Sequence, residues 1–439
     1  MRASLNTLDL FAKMSGLKIN IEKTQAVWIG SKKHSLDKLC PDIKIKWAGI
    51  NSEKTFKTLG VVFSTNLDNL EANNYETILE EISRQISQWK KRNITVLGRI
   101  TIVKSLLLSK LTFLILNLPD PPEDFVKQVS RMMYNFIWKG VDRVSRNQMI
   151  QDYENGGLRM VDIQSYIYAL KVTWIRRVLN AGDTDWAYIF IKSSNINHIL
   201  DIEGGSVDIL TLLDSESPNK FWYNVFTAWS TVIKSRRVQN RTDLLKNTLW
   251  FNNRIRVGKQ TIYYRHWVKN GVRLVNDLVK TNGGFLSLDE FKNKYNVKTN
   301  FLEYGAVINA IKRSCNHILD KNTKNVPYPL VPYNFEFVLR DKKGSRRLYE
   351  SLVLSREVKQ NYLRKWELEL NKTYSNKQWS IFFLLPLKCT IDVKLRWFQF
   401  RIIHKILGVN SFLAKIGIKD SNLCTFCKAK EETIIHIFL

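Results

Sequence analysis

The sequence predicts a mainly α-helical protein of several domains, with a small antiparallel β element near the N-terminus. Short apolar or alternating runs occur before residue 64, and from Tyr75 onwards apolar residues recur with a helical period. Clusters of Pro and Gly separate the helical segments. Alternation is typical of half-buried strands, whereas spacings of three and four residues place apolar side chains on one face of a helix.

The β element is predicted between Leu17 and Phe63. It comprises the runs LKIN, AVWIG, IKIKWAGI and LGVVF, which turn-forming residues separate. Brief runs of this kind are typical of strands in a small sheet. We therefore interpret residues 1–67 as the end of a helix followed by a small antiparallel sheet.

A helical bundle is predicted over residues 68–180. The first helix presents one apolar face, formed by Tyr75, Ile78, Leu79, Ile82, Ile86 and Trp89. Two further helices, over 100–114 and 125–136, are separated by three prolines, which remove backbone donors and clash inside a helix. The run Asn155, Gly156 and Gly157 then breaks the chain before a fourth helix over 163–178.

The second half of the sequence is less regular. Ser217 and Pro218 predict the start of an aromatic helix over 221–229, and Ser287 with Glu290 has capping-box spacing. Alternation over 331–337 indicates an edge strand or an extended linker, followed by one long helix from Arg346 to about Leu370. We divide the chain into four predicted domains: 1–67, 68–180, 181–330 and 331–439.

Composition restricts the class of protein. The longest apolar stretch, 106–118, is interrupted by polar residues and is shorter than the roughly 20 residues that span a bilayer. The first residues do not resemble a secretory signal, and five cysteines are an odd number, which argues against a disulfide framework. These features predict an intracellular protein, nuclear or cytoplasmic, that is neither secreted nor membrane-spanning.

A net charge of +28 favours a polyanionic partner, and nucleic acid is the leading candidate. Between Lys234 and Lys280 twelve Lys or Arg stand against two Asp, interleaved with Trp250, Phe251, Tyr263, Tyr264, His266 and Trp267. Aromatic faces can stack on unpaired bases while cations follow the phosphates. The same aromatics could equally form the core of a small domain, and the charge could be a solubilising surface or an anionic-membrane surface.

The sequence offers few residues for catalysis. Metal-dependent phosphoryl transfer needs clustered carboxylates, but no two Asp residues are adjacent in the chain. Asp183 and Asp185 are the nearest approach, and we interpret them as a solvated loop. Phosphate-loop, nucleophile-elbow and HExxH motifs are also absent from the sequence.

One metal-binding pattern occurs near the C-terminus. Cys424 and Cys427 form CxxC, and His436 follows nine residues later. Two thiolates and an imidazole can fill three corners of a tetrahedral zinc site. The fourth ligand is missing from the pattern; Cys389 is the first candidate and Cys315 is an alternative.

In order along the chain, several segments resemble the reverse transcriptase of non-LTR (LINE-type) retrotransposons. They are SGLKINIEKT, FKTLGVVF, WKKRNITVLGRITIVKSLLLSKL, NFIWKG, ENGGLRMVDIQSYIYALKVTWIRR, IYYRHWVKNGVRLVNDLVKTNGGFLSLDEF and LCTFCKAKEETIIHIFL. The resemblance implies an RNA-directed DNA polymerase, of which this chain corresponds to the C-terminal part. Residues 1–67 then match the end of the palm with a primer-grip-like hairpin, 68–180 the thumb, 181–330 a linker region, and 331–439 a C-terminal region with a zinc-binding segment.

The resemblance also assigns expected roles. Lys23 occupies the place of a lysine proposed to protonate the departing pyrophosphate. The catalytic aspartate pair is expected before this chain begins, so we expect neither Mg²⁺ binding nor polymerase activity from this chain alone. The final zinc-ligating Cys is expected about two positions past Leu439, so zinc should bind weakly or not at all.

Nucleic acid, as a template–primer duplex or as RNA, is the expected partner, and a full-length element protein is a second one. An alternative is a host-used nucleic-acid-binding or assembly module without enzymatic activity. The expected phosphate contacts, from the charge pattern and the resemblance together, are Lys90, Lys91, Arg92, Arg99, Lys104, Arg254, Arg256 and Arg265.

Overall fold

A computed structural model provides the structure of the protein. It describes residues 2–28, 30–32, 35, 37–48, 55–64, 69–180, 184–186, 220–235, 244–245, 248–252, 254–280, 283–319, 344–354, 356, 358 and 360–438. The described residues are mainly helical with short strands, which confirms the predicted fold class. The chain divides into two compact units, one comprising Met1–Asn93 and Ser105–Phe136, the other Ile94–Lys104 and Ile137–Leu439.

The first part of the chain contains both strands and long helices. In order, it forms α1 (Arg2–Ser15), β1 (Gln25–Val27), β2 (Lys46–Ala48), β3 (Thr55–Thr58), β4 (Val61–Ser64), α2 (Leu70–Lys90), α3 (Val96–Ile102), a π-helical turn (Val103–Leu107), α4 (Leu108–Asn117) and α5 (Glu123–Trp138). A short 3₁₀ helix, Ile21–Lys23, precedes β1.

The later part of the chain is built mainly from helices. It forms α6 (Arg146–Ile150), α7 (Ile163–Asn180), α8 (Lys220–Ser235), β5 (Arg256–Val257), β6 (Gln260–Thr261), α9 (Arg265–Lys269), α10 (Leu288–Tyr295), α11 (Phe301–Leu319), α12 (Arg346–Leu354), α13 (Asn361–Leu370), α14 (Asn376–Cys389), α15 (Val393–Ile403), α16 (Asn410–Lys415) and α17 (Ile434–Phe438).

The β3–β4 hairpin matches the predicted antiparallel element. Its turn residues, Leu59 and Gly60, have φ of 49° and 87°. Positive φ at both positions is typical of a type I′ turn, whose twist suits the two strands. The pair β1 and β2 is parallel, so the antiparallel prediction was wrong for these strands. Parallel strands need a long connection, because the chain must return to the end of the sheet where the first strand began. The connection from Val27 to Lys46 is long enough for this, whereas a tight turn joins only antiparallel strands.

Helix α2 packs with its predicted face inward, and Tyr75, Ile82 and Ile86 are buried. Asn74 is buried beside them. Its Nδ2 atom donates to the carbonyl of Val62 at 2.8 Å, and its Oδ1 atom accepts from the N–H of Val62 at 2.9 Å. A buried amide needs such partners, so this pairing fixes α2 against β4.

The second predicted helix is divided by the π-helical turn into α3 and α4. Thr95 caps α3 by accepting a hydrogen bond from the N–H of Gly98 at 3.3 Å, while Leu107 and Leu111 are fully buried. Within the described residues, the continuous stretch Val96–Asn117 is long and apolar enough to cross a membrane. Length and composition do not separate a spanning helix from a core helix, so the absence of a membrane span stays a prediction.

One apolar cluster of the second unit is formed by α7, α8 and α12. Ile175, Phe226, Trp229 and Leu348 are among its buried members. Helix α7 therefore matches the predicted fourth helix and packs on segments that lie far from it in the sequence. The predicted boundaries at 67, 180 and 330 stay predictions.

A second cluster surrounds Trp250, Trp267 and Phe291, all of which are buried. The predicted capping box begins α10: the N–H of Glu290 donates to Ser287 Oγ at 3.2 Å, and the N–H of Ser287 donates to Glu290 Oε2 at 2.6 Å. Two orphan donors at the helix start are thereby satisfied. This prediction is confirmed.

The long helix predicted from Arg346 to about Leu370 is observed as two helices, α12 and α13. Between them the guanidinium of Arg356 donates to Asp162 Oδ2 at 2.7 Å and to Ser165 Oγ at 2.9 Å. This tertiary pairing lies between the two helices. The helix start predicted at Ser217 and the strand predicted over 331–337 lie outside the described residues.

The predicted break at residues 155–157 is a tightly packed turn. Gly156 has φ of 71°, and a Cβ atom there would lie 2.8 Å from Cε1 of Phe383. A Cβ atom on Gly157 would lie 2.0 Å from the carbonyl oxygen of Gln151. Only glycine fits both positions, which explains the Gly pair and brings the turn against α14.

Candidate metal centre and cationic surface

The CxxC segment forms a tight hairpin. Leu423 pairs with Glu431 in an antiparallel bridge, and the N–H of Cys424 donates to the carbonyl of Lys430 at 2.8 Å. The chain then reverses through a turn in which the N–H of Lys428 donates to the carbonyl of Cys424 at 2.8 Å. Lys428 itself has φ of 54°. This backbone path places Cys424 and Cys427 on the same side of the turn.

His436 completes a group of three potential metal ligands. It lies on α17, and its N–H donates to Thr433 Oγ1 at 3.1 Å. Its Nε2 atom lies 3.2 Å from Sγ of Cys427, and the ligand atoms of all three residues lie within 4.8 Å of one another. Cys424 is buried and Cys427 is exposed. The structure thus brings together the three ligands predicted from the sequence.

The electrostatics of the group favour the thiolate at Cys427. The backbone hydrogen bonds of Ala429 and Lys430, followed by that of the His436 side chain, lower the pKa of Cys427 to about 6. The thiolate is the form that binds metal ions. Cys427 is therefore prepared to act as a ligand at neutral pH.

Glu432 links the hairpin to Asn410 at the start of α16 by hydrogen bonds. Its carboxylate accepts hydrogen bonds from the N–H and Oγ1 of Thr425, at 2.9 and 3.0 Å, and from the N–H and Nδ2 of Asn410, at 2.8 and 3.0 Å. Lys419 Nζ donates to Asn410 Oδ1 at 2.6 Å. These bonds, that of the Thr425 N–H first, hold the pKa of Glu432 below its usual range. The sequence pattern did not identify this network.

The three side chains are of the types that bind zinc, and they could fill three of the four positions of a tetrahedral site. Two thiolates and one imidazole are the ligands that zinc prefers in tetrahedral sites. Cys389, the first candidate for a fourth ligand, is exposed at the end of α14 and does not join the group. The side chain of Cys315 lies outside the described residues. Within the described part of the chain, the group could hold a metal ion through three protein ligands.

Most predicted phosphate contacts lie on the surface. Lys90, Lys91 and Arg92 are exposed at the end of α2, and the Arg92 guanidinium lies 4.6 Å from the centroid of the Trp89 ring. Lys104 is exposed in the π-helical turn. Its Nζ atom donates to the carbonyl of Arg159 at 3.0 Å.

Arg99 departs from its predicted role. Its side chain is buried, and its Nη1 atom donates to the carbonyl of Ile137 at 3.1 Å. Burial lowers the pKa of the guanidinium. A side chain in this position is not presented to a phosphate, so the structure does not support Arg99 as a nucleic-acid contact and indicates a packing role.

The remaining predicted cations surround the second apolar cluster. Arg254, Arg256 and Arg265 are exposed, whereas Trp250 and Trp267 are buried core residues. The core interpretation therefore holds for these two tryptophans, which cannot stack on bases. Phe251 and Tyr263 are partly buried on the same cluster and stack on each other, with centroids 4.7 Å apart.

Lys23 is exposed at the end of the short 3₁₀ helix Ile21–Lys23. Its N–H donates to Asn20 Oδ1 at 3.1 Å. This cap fixes the backbone and leaves the ammonium on the surface. Its role as a counterpart of a catalytic lysine stays a prediction.

Comparison with known proteins gives one relevant similarity. No protein-family profile matches the chain. The transposon TX1 uncharacterized 149 kDa protein of Xenopus laevis is 26% identical over an alignment of 258 residues, which covers 56% of this chain. The matched part is 19% of that protein, so the chain spans about a fifth of the length of this relative. The similarity supports a retrotransposon-derived origin.

Proposed function

We propose that this chain is the C-terminal region of a retrotransposon-encoded RNA-directed DNA polymerase, and that it binds nucleic acid through exposed cationic side chains. The observation that carries the proposal is the convergence of Cys424, Cys427 and His436 in the hairpin. The resemblance implies a zinc-binding segment at this place. The similarity to a transposon protein supports the retrotransposon origin.

The nucleic-acid part of the proposal depends on charge. The net charge of +28 and the exposed group Lys90, Lys91 and Arg92 suit phosphate contacts, which position a duplex without reading its sequence. A zinc ion, when bound by the two thiolates and the imidazole, would fix the C-terminal hairpin as a structural centre. The residues Glu432 and Asn410 hold this hairpin in shape by their hydrogen bonds.

The adjacent aspartate pair that the resemblance implies for the polymerase does not occur in this sequence, in which no two Asp residues are adjacent. We therefore propose that it binds a template–primer duplex or RNA, inside the cell, without extending a primer. A full-length element protein is the proposed source of catalysis and a proposed partner.

The test is binding of a labelled DNA duplex by the purified chain as a function of salt. If about six to ten phosphates are contacted, the affinity should fall by about 10³ to 10⁵ between about 50 and 200 mM salt. An affinity that does not change with salt would contradict the proposal. Primer extension by this chain with Mg²⁺ would contradict the proposed absence of catalysis.

A further inference from the structure

Lys104, Arg159 and Arg346 come from three separate elements of the second unit and converge on one surface. Lys104 lies in the π-helical turn and donates to the main-chain carbonyl of Arg159. Tyr349, one turn after Arg346 on α12, places its Oη atom 3.4 Å from the carbonyl of Met160. Residues three apart on a helix share a face, so Arg346 lies on the side of α12 that meets residues 159–160.

The backbone at two of these positions is unusual. A π-helical turn is rare in proteins and occurs frequently at functional sites. Arg159 has φ of 54°, a left-handed conformation that is strained for a residue with a Cβ atom and that glycine adopts freely. The side chain of Arg159 is exposed at this position.

Carboxylates near the cluster do not balance it. Arg159 Nε donates to Asp152 Oδ1 at 2.7 Å, and Arg346 Nε donates to Glu350 Oε1 at 2.7 Å. Lys104 is placed against a carbonyl, and partial desolvation of its ammonium, together with the charges of Arg159 and Arg346, lowers its pKa. Both carboxylates pair with exposed arginines, and such pairs are weak and screened by salt. The cluster therefore carries an excess of positive charge that a bound anion would stabilise.

We propose that Lys104, Arg159 and Arg346 form a phosphate-binding site for the backbone of a nucleic acid. Arg159 and Arg346 were not among the phosphate contacts predicted from the sequence. The guanidinium groups can bind phosphate oxygens in pairs, while the ammonium acts as a point charge. This inference rests on the proposed nucleic-acid function and assigns a specific surface to it.

The experiment compares two triple variants of the full chain. One replaces Lys104, Arg159 and Arg346 with Gln; the control replaces Lys377, Lys388 and Lys394, three exposed lysines of α14 and α15, with Gln. Both lose the same charge. For a labelled DNA duplex, the slope of log affinity against log salt should decrease by about 2 to 3 in the first variant and change little in the control.

If the salt dependence of duplex binding has the same slope in both variants, the phosphate site is wrong. The proposed function would still stand in that case, provided that the unmodified chain shows a steep slope. A flat slope in the unmodified chain would instead overturn the proposed function itself. Vesicles containing phosphatidylserine serve as a second probe. Loss of vesicle binding with unchanged duplex binding in the first variant would overturn the assignment to nucleic acid.

Arg159→Gly separates a binding role from a structural one. If Arg159 serves the phosphate, this variant should weaken duplex binding while its melting temperature stays equal or rises, since glycine relieves the positive φ. A lower melting temperature with unchanged binding would show that the pair with Asp152 is the reason for the arginine and would overturn its assignment. Circular dichroism of each variant checks that it remains folded.

Discussion

The guanidinium of Arg99 donates a hydrogen bond to the main-chain carbonyl of Ile137, 3.1 Å away, from a side chain that is only 6% exposed. A sequence pattern of basic residues placed Arg99 with the phosphate contacts. The guanidinium instead binds a carbonyl of the protein itself. Buried polar groups need such hydrogen-bond partners. Arg99 and the exposed Lys91 therefore have opposite expected phenotypes.

Arg99→Ala should lower the free energy of unfolding by about 1 to 3 kcal/mol, because it leaves a buried carbonyl without its donor. Its effect on the salt dependence of duplex binding should be small. Lys91→Ala should behave in the reverse way, with unchanged stability and weaker binding. Chemical denaturation and duplex titration measure the two properties, and a folded Arg99→Ala protein with a reduced salt slope would contradict the packing role.

Cys427→Ser should reduce zinc affinity by more than about 100-fold. Removing a residue that only hydrogen-bonds to a metal ligand typically costs roughly 10- to 100-fold, and Cys427 is itself one of three thiolate or imidazole ligands. Cys389→Ser is the matched control and should leave zinc affinity unchanged, because Cys389 does not join the group. Competition with a chromophoric chelator gives both values.

Three protein ligands should also give weak zinc binding in the unmodified chain. Stoichiometric zinc that survives dialysis against a mild chelator would show this expectation to be wrong. A further loss of zinc in Cys389→Ser would then identify Cys389 as a fourth ligand.

Gly156→Ala should destabilise the second unit by about 2 to 4 kcal/mol, the sum of a left-handed backbone penalty and overpacking against Phe383. Gly271 provides a matched control, since it has φ of 86° and no neighbouring atom within 4 Å of the added Cβ. Gly271→Ala should therefore carry only the backbone penalty. Equal losses in thermal unfolding would show that the contact with Phe383 is unimportant.

Asp162→Asn tests the pairing with Arg356, which lies between α12 and α13. Burial tends to raise the pKa of Asp162, but the hydrogen bonds from Arg356 and Ser165 prevail and lower it below its usual 3.8. A lowered pKa in the folded state means that the stabilisation is complete above the ordinary value and disappears as pH falls through the folded one. The wild type should therefore melt higher than Asp162→Asn near neutral pH.

This difference in melting temperature should narrow below pH 3.8. Glu123→Gln is a suitable control, because the pair of Glu123 with Lys127 also lowers the pKa of Glu123 but is exposed, so it should give a much smaller difference in melting temperature. A gap that stays constant as pH falls would mean that the carboxylate charge of Asp162 is not the stabilising feature.

Local patterns predicted the local features of this protein. The apolar face of α2, the capping box at Ser287 and the CxxC hairpin depend on residues close in sequence, and each is observed. Arg99 and Lys91 are both basic residues of the same segment, and the sequence pattern does not distinguish them. The tertiary fold buries Arg99 and leaves Lys91 exposed.

The same limit applies to the support of the hairpin and to the last helices. Glu432 accepts from Asn410, 22 residues away, and no short motif encodes that pair. Between α12 and α13, Arg356 pairs with Asp162, 194 residues before it. Periodicity over residues 346–370 was compatible with one helix, and it carries no information on this distant pairing.

The turn at residues 155–162 acquires its partners late during synthesis. Asn155 accepts from Gln360 across 205 positions, and Asp162 accepts from Arg356 across 194. At about 5 to 20 residues per second, a ribosome needs roughly 10 to 40 seconds to make the missing segment. Throughout that interval, the face of the turn that α12–α14 later cover lacks these partners. Exposed apolar surface of this kind makes an incomplete chain prone to aggregation, which chaperones counteract.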